Sequence, residues 1–143
     1  MVILRTEANF ANRKLAIDSY NLSRFAIAFI WLYHGLIPKL IFRHATELEL
    51  INQGPVLGSA ELTLMLAGIA EVLIGIGVVV FWKQAWPIYL SLVGFVVLLI
   101  ASVVIAPEQA IHAFNPITLT VSAILFCLIQ INLRSSMNTH SIS

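Results

Sequence analysis

Four long apolar stretches, separated by more polar segments, dominate the hydrophobic pattern of this sequence. They cover residues 22–42, 62–82, 85–106 and 114–133. Each is close to the roughly 20 residues that an α-helix needs to cross the hydrocarbon core of a bilayer. None has the alternating polarity of a membrane-spanning strand, so helices are expected throughout. Because the turn between the second and third stretches is short, these two helices form an antiparallel hairpin, and the four spans together predict an all-α fold: a transmembrane antiparallel four-helix bundle.

Capping and turn signals fall between these stretches. Asn115 followed by Pro116 is typical of an N-cap residue and the first residue of a helix. In the loop after the first stretch, Thr46 and Glu49 have the spacing of a capping box, and a Gly-Pro pair stops the segment soon afterwards. These signals predict a short helix over about residues 47–53, lying near the outer membrane face.

The composition fits a single integral-membrane domain over residues 1–143. Only 10% of the residues are charged, whereas a soluble domain has roughly 25%. A net charge of +1 without a basic, aromatic-rich patch argues against a nucleic-acid partner, and the lipid bilayer is the partner that we expect. The single cysteine, Cys127, excludes a disulfide framework and a cysteine-based metal centre within one chain, and no metal site is predicted.

Basic residues indicate how the bundle is oriented. Most of them lie before the first stretch, between the second and third, or after the fourth, and these three segments share one membrane face. The positive-inside rule makes that face cytoplasmic, together with both termini. The basic residues of this face are Arg5, Arg13, Lys14, Arg24, Lys83 and Arg134.

Glu71 is the one charged residue in the second stretch. A carboxylate near the bilayer centre costs roughly 2.5–3.5 kcal/mol on insertion scales unless it is paired or protonated. At a rise of 1.5 Å per residue, His34 and Glu71 lie about 12 and about 16 Å below the same membrane face. We therefore predict that they form an intramembrane pair that holds or passes one proton. A purely structural hydrogen bond between them is the alternative.

The surroundings of this pair supply further candidates. Small residues one turn before and after Glu71 turn its helix face inward, and Pro38 predicts a kink beside His34. Lys39 is about 140° from His34 on an ideal helix, so it joins the site only if the kink rotates it inward; otherwise it extends to the membrane interface. The candidate ligand-binding residues are Trp31, Gly35, Pro38, Gly68, His112 and Asn115.

Three short motifs resemble those of the DoxX-like family: WLYHGLIPKLIF at 31–42, AGIAE at 67–71 and FNPIT at 114–118. The resemblance extends over about residues 22–133 and agrees with four spans. It implies a small bacterial inner-membrane protein that is associated with membrane redox systems. Since the sequence predicts no cofactor intrinsic to the chain, any electron transfer would need a bound quinone or a redox or dehydrogenase protein as partner.

The first functional hypothesis is a quinone-binding or accessory subunit of a membrane redox system. In it, His34 and Glu71 exchange protons with the ligand's oxygens, and Lys39 lies near the outer mouth. One alternative is a non-enzymatic scaffold subunit, in which the pair only locks the bundle. Another is a small proton-coupled transporter, which would need oligomers because four spans are few for alternating access. The sequence leaves open whether the chain is itself catalytic.

Overall fold

A computed structural model of the protein describes the backbone of residues 2–105, 107–111 and 115–139. Within these ranges it describes side chains from residue 12 to residue 137, apart from 109 and 110. The elements are α1 (Val2–His34), a π-helical segment (Gly35–Ile41), α2 (Ala45–Asn52), α3 (Ala60–Val80), α4 (Trp86–Ile105), a 3-10 turn (Pro107–Ile111) and α5 (Pro116–Thr139).

Four helical stretches are long and apolar enough to cross a membrane. They are Asn12–Ile41, Ala60–Val80, Trp86–Ile105 and Pro116–Met137. The described ranges contain helices, turns and loops but no strand. The predicted fold class, an all-α transmembrane four-helix bundle, is therefore confirmed.

The first helix begins about twenty residues before the predicted span at 22–42. Residues 2–34 contain neither glycine nor proline, so nothing in this part of the sequence interrupts a helix. At 1.5 Å per residue, the 33 residues of α1 reach about 50 Å, which exceeds the hydrocarbon thickness of a bilayer. The residues of α1 before position 22, which the hydrophobic pattern places outside the membrane, thus continue the helix of the first span.

Helix α1 packs against both α3 and α5, and α5 also packs against α4. The core of the bundle is apolar, and its buried members are Ile27, Ala28, Trp31, Val78, Ile88, Phe95, Ala123 and Cys127. Large apolar side chains also cover the outside, where Leu73 is 62% and Val97 is 58% exposed. Such a surface is stable only against hydrocarbon, as expected for a membrane bundle.

The helix ends follow local capping chemistry. Asn115 Oδ1 accepts from the Thr118 amide at 2.8 Å, which confirms the predicted N-cap of α5. The short helix α2 begins at Ala45 with His44 as its N-cap, so the predicted capping box at Thr46 is wrong. The reason lies in the preceding turn, where the His44 amide donates to the Pro38 carbonyl at 2.8 Å and holds His44 in an extended conformation.

Arg24 closes the C-terminal end of α3. Its guanidinium, which is fully buried, donates to the carbonyls of Val78 at 2.8 Å, Phe81 at 2.7 Å and Gln84 at 3.3 Å. It also lies 5.3 Å from the ring centre of Trp82. The last carbonyls of a helix have no partner within the helix and carry partial negative charge. A buried arginine donates hydrogen bonds to them, and its positive charge stabilises their partial negative charge. From the sequence alone, Arg24 was expected only to contribute to the orientation of the bundle in the membrane.

Candidate functional site

A cavity of about 120 Å³ lies inside the bundle, on the side where α2 covers it. Four spans contribute to its walls, and α2 adds Glu47 and Leu50. Most of the wall is apolar, but several polar side chains reach it. The lining residues are Ile30, Trp31, His34, Lys39, Glu47, Leu50, Glu71, Phe95, Leu98, Ser102, Pro116, Leu119, Thr120 and Ala123.

The centre of the polar wall is an ion pair between Lys39 and Glu71. Lys39 Nζ lies 2.5 Å from Glu71 Oε1, and the two side chains are only 10% and 8% exposed. Glu47 Oε2 is 3.8 Å from the same ammonium, and its side chain is 25% exposed. One ammonium thus faces two carboxylates, and the closer contact offsets the cost of placing Glu71 inside an apolar bundle.

The structure pairs Glu71 with Lys39 instead of with the predicted partner His34. Glu71 Oε1 accepts from Lys39, and Oε2 has no hydrogen-bond partner among the described residues. His34 lines the same cavity, and its ring stands edge-on to Tyr33 at 5.9 Å. His34 and Glu71 thus line one cavity, as their estimated depths indicated, but the ion pair of Glu71 is with Lys39.

The π-helical segment explains why Lys39 turns inward. In a π-helix, hydrogen bonds join residues i and i+5, so each residue advances around the axis by less than in an α-helix. The angle of about 140° between His34 and Lys39 on an ideal α-helix shrinks accordingly. Pro38 favours this wider turn because it has no amide for the His34 carbonyl, which the π pattern pairs with the amide of Lys39.

Glycines let the π-helical segment approach α3 closely. A Cβ on Gly35 would lie 2.7 Å from the Gly68 carbonyl and 2.9 Å from Glu71 Cβ. A Cβ on Gly68 would lie 2.9 Å from Leu40 Cγ. The predicted small-residue face of α3 is thus confirmed, with Gly68, Glu71 and Gly75 all buried.

Three candidate ligand-binding residues have this supporting role. Gly35, Pro38 and Gly68 do not belong to the cavity wall; they shape the backbone that carries Lys39 and Glu71. The physical reason is that a glycine in a tight helix contact is covered by the neighbouring backbone, which leaves no surface for a ligand.

Trp31, by contrast, is part of the wall. Its indole is 2% exposed and stacks on Phe95, with ring centres 4.3 Å apart and planes at 12°. Gly94 makes room for it, since a Cβ there would lie 3.0 Å from Trp31 Cη2. Trp31 Nε1 has no hydrogen-bond partner within the part of the chain that the structure describes.

The two outer candidates have different outcomes. His112 lies outside the described residues. Asn115 is described as the N-cap of α5, and its neighbour Pro116 lines the cavity together with Thr120. Glu47, as a partner of Lys39, was not predicted from the sequence, because the short helix that carries it was expected near the outer membrane face.

Comparison with known protein families gives one result. A family model described as the DoxX-like family matches residues 28–128. The chain belongs to the DoxX-like family. Every residue that lines the cavity of this DoxX-like protein falls within the match, whereas Arg24 falls outside it. Comparisons with curated proteins and with solved structures found no match to the chain.

The DoxX-like cavity combines the features of a small-molecule site. Ligand pockets are mostly apolar, with a few placed polar groups that fix the ligand's orientation. Here an ammonium, two carboxylates, an imidazole and an indole N–H share one mostly apolar wall. The cavity, at about 120 Å³, is somewhat smaller than the apolar cavity of about 150 Å³ that holds one benzene ring in another protein.

Proposed function

We propose that this DoxX-like membrane protein binds the ring of a quinone in the cavity under α2, as a subunit of a membrane redox system. The observation that carries the proposal is the Lys39–Glu71 pair, buried beside the apolar wall and the Trp31–Phe95 stack. A quinone ring has flat apolar faces and two polar oxygens at its edge. An aromatic wall with an ammonium and an indole N–H at one side complements both features.

The redox role rests on the family and on the chain's own chemistry. The family resemblance implies a quinone-linked redox system. The single cysteine is fully buried in the core, and the described residues hold no cluster of three or more metal-ligating side chains. We therefore assign electron transfer to the bound quinone together with a partner protein, and proton exchange with the ligand to Glu71.

We also propose an orientation in the bacterial inner membrane. Arg24, Lys83 and Arg134 meet at one end of the bundle, where Arg134 donates to the Lys83 carbonyl at 2.9 Å and Arg24 closes α3. The positive-inside rule makes this end cytoplasmic. The cavity lies towards the opposite end, under α2, and the ligand oxygens would face the outer half of the membrane.

A cavity-filling substitution tests the proposal. Ala123 is fully buried and lines the cavity, so Ala123→Phe places a benzyl ring where the quinone ring would bind. We expect purified wild-type protein to bind a short-chain ubiquinone in isothermal titration, and Ala123→Phe to weaken binding at least about tenfold. Leu125→Phe is the matched control, because Leu125 lies on the same helix and is 54% exposed.

The control variant should bind as the wild type does. Equal affinity in all three proteins would refute the cavity as the site, and no binding in any of them would refute the quinone. Overpacking in a core costs about 1–3 kcal/mol, so the folding of Ala123→Phe is checked first by circular dichroism and thermal unfolding.

A scaffold function is the second candidate, because Lys39 also joins three elements. Its ammonium contacts Glu71 on α3 and Glu47 on α2 from the π-helical segment. If this ion pair only locks the bundle, ligand binding is absent while the unfolding free energy still depends on the pair. The titration above separates the two candidates.

A further inference from the structure

We infer that the cavity prefers the reduced ligand, a quinol with free hydroxyl groups, over the oxidised quinone. This inference rests on the proposed function and concerns which form of the ligand the site takes. It follows from the hydrogen-bond donor and acceptor of the lining residues that have no partner within the protein.

Two residues that line the cavity each have a buried polar atom without a partner among the described residues: Trp31 Nε1 and Glu71 Oε2. The indole N–H only donates hydrogen bonds, and a carboxylate paired with an ammonium only accepts them. Both residues are more than nine-tenths buried. A ligand that satisfies this wall therefore needs an acceptor for Trp31 and a donor for Glu71.

The remaining polar groups do not replace the missing donor. The hydroxyls of Ser102 and Thr120 donate to carbonyls of their own helices, at 2.8 and 2.6 Å. Lys39 supplies donors only, Glu47 adds a second carboxylate, and a neutral His34 ring offers one donor and one acceptor. Among the described residues, Glu71 Oε2 is thus the buried acceptor of a cavity-lining residue that no group of the protein satisfies.

A quinone and its quinol differ in the groups that they offer this wall. A quinone's carbonyls accept from Lys39 or Trp31, but they cannot donate, so Glu71 Oε2 keeps the lack of a partner that it has in the structure. A quinol hydroxyl accepts from Trp31 or Lys39 and donates to Glu71. Leaving a buried acceptor without a partner is more costly than the mean worth of a hydrogen bond, and most costly for a charged acceptor.

The experiment compares three forms of one short-chain benzoquinone by isothermal titration of the wild-type protein under anaerobic conditions. The forms are the quinone, the quinol and the quinol dimethyl ether, which keeps the ring and oxygens but cannot donate. We expect the quinol to bind at least about tenfold tighter than the other two, a difference of about 1.4 kcal/mol.

Two variants test which atoms of the protein cause the preference for the quinol. Glu71→Gln keeps an acceptor for Lys39 and places an amide N–H₂ where Oε2 was, so the preference for the quinol should disappear or reverse. Trp31→Phe keeps the stack on Phe95 but removes the N–H, so both forms should bind more weakly and their ratio should stay within about threefold of the wild type.

The outcomes separate this inference from the proposed function. If the quinone binds as tightly as the quinol to wild-type protein, the preference is refuted while the quinone site stands. An unchanged preference in Glu71→Gln would refute Glu71 as its source. If no form binds, the proposed function fails, and the inference fails with it. Should Glu71→Gln not fold, the wild-type comparison and Trp31→Phe still decide.

Discussion

A carboxylate buried inside an apolar bundle needs a positive partner, and Lys39 supplies it for Glu71. The contact of 2.5 Å and the low exposure of both side chains make the pair a single electrostatic unit. The lone charge in an apolar segment was enough to predict from sequence that Glu71 needs a partner. Its identity was not predictable, because ideal α-helical geometry directs Lys39 away from His34 and towards the membrane interface.

The ion pair predicts strong non-additivity in stability. Lys39→Met or Glu71→Leu alone leaves one buried charge unpaired and should lower the unfolding free energy by about 3–5 kcal/mol. The double variant, which leaves no unpaired charge, should be clearly more stable than the sum of the single effects predicts. Unfolding titrations in mixed micelles measure all four proteins of this cycle.

Lys83→Met is the matched control for the lysine. Lys83 is exposed at the other end of the bundle, and its substitution should change stability by less than about 0.5 kcal/mol. Additive effects of Lys39→Met and Glu71→Leu would show that the two charges do not depend on each other.

At the scale of elements, close contact between α1, the π-helical segment and α3 forms the site. The spacing of small residues on α3 predicted the inward face correctly, because helical periodicity fixes which residues share a face. The π-helical segment was not predicted. Proline at position 38 indicates a disturbed helix, but whether the chain kinks or widens its turn depends on how α3 packs against it.

The same contact predicts a contrast between two glycines of α3. A Cβ on Gly75 would lie 2.8 Å from Leu32 Cγ and 3.2 Å from the Ala28 carbonyl, so Gly75→Ala must push α1 away. We expect it to lower the unfolding free energy by about 1–3 kcal/mol. Thermal and denaturant unfolding measure this change.

Gly77→Ala is the control on the same helix. The nearest atoms to a Cβ there are 3.9 and 4.0 Å away, an ordinary contact distance. Alanine has the higher helix propensity by about 1 kcal/mol, so this variant should be neutral or slightly more stable. A larger loss at Gly77 than at Gly75 would contradict the close approach of α1 to α3.

The molecule as a whole is a DoxX-like bundle with two different ends. At one end, Arg24 and Arg134 donate hydrogen bonds to backbone carbonyls. At the other end, Lys39 and Glu71 line a cavity. The four-helix fold was predictable because it follows from the length and apolarity of each segment alone. The cavity was not, because its walls come from α2, α4 and α5 as well as from the motifs around His34 and Glu71.

The central claim is that a quinone ring occupies this cavity, and photolabelling tests it most directly. The purified protein is irradiated with an azido-substituted short-chain benzoquinone, and labelled peptides are mapped by mass spectrometry. The account predicts labels on cavity residues such as Trp31 and Phe95, and their loss when unlabelled quinol competes. Labels spread over lipid-facing residues such as Leu73 and Val97, unaffected by the competitor, would contradict it.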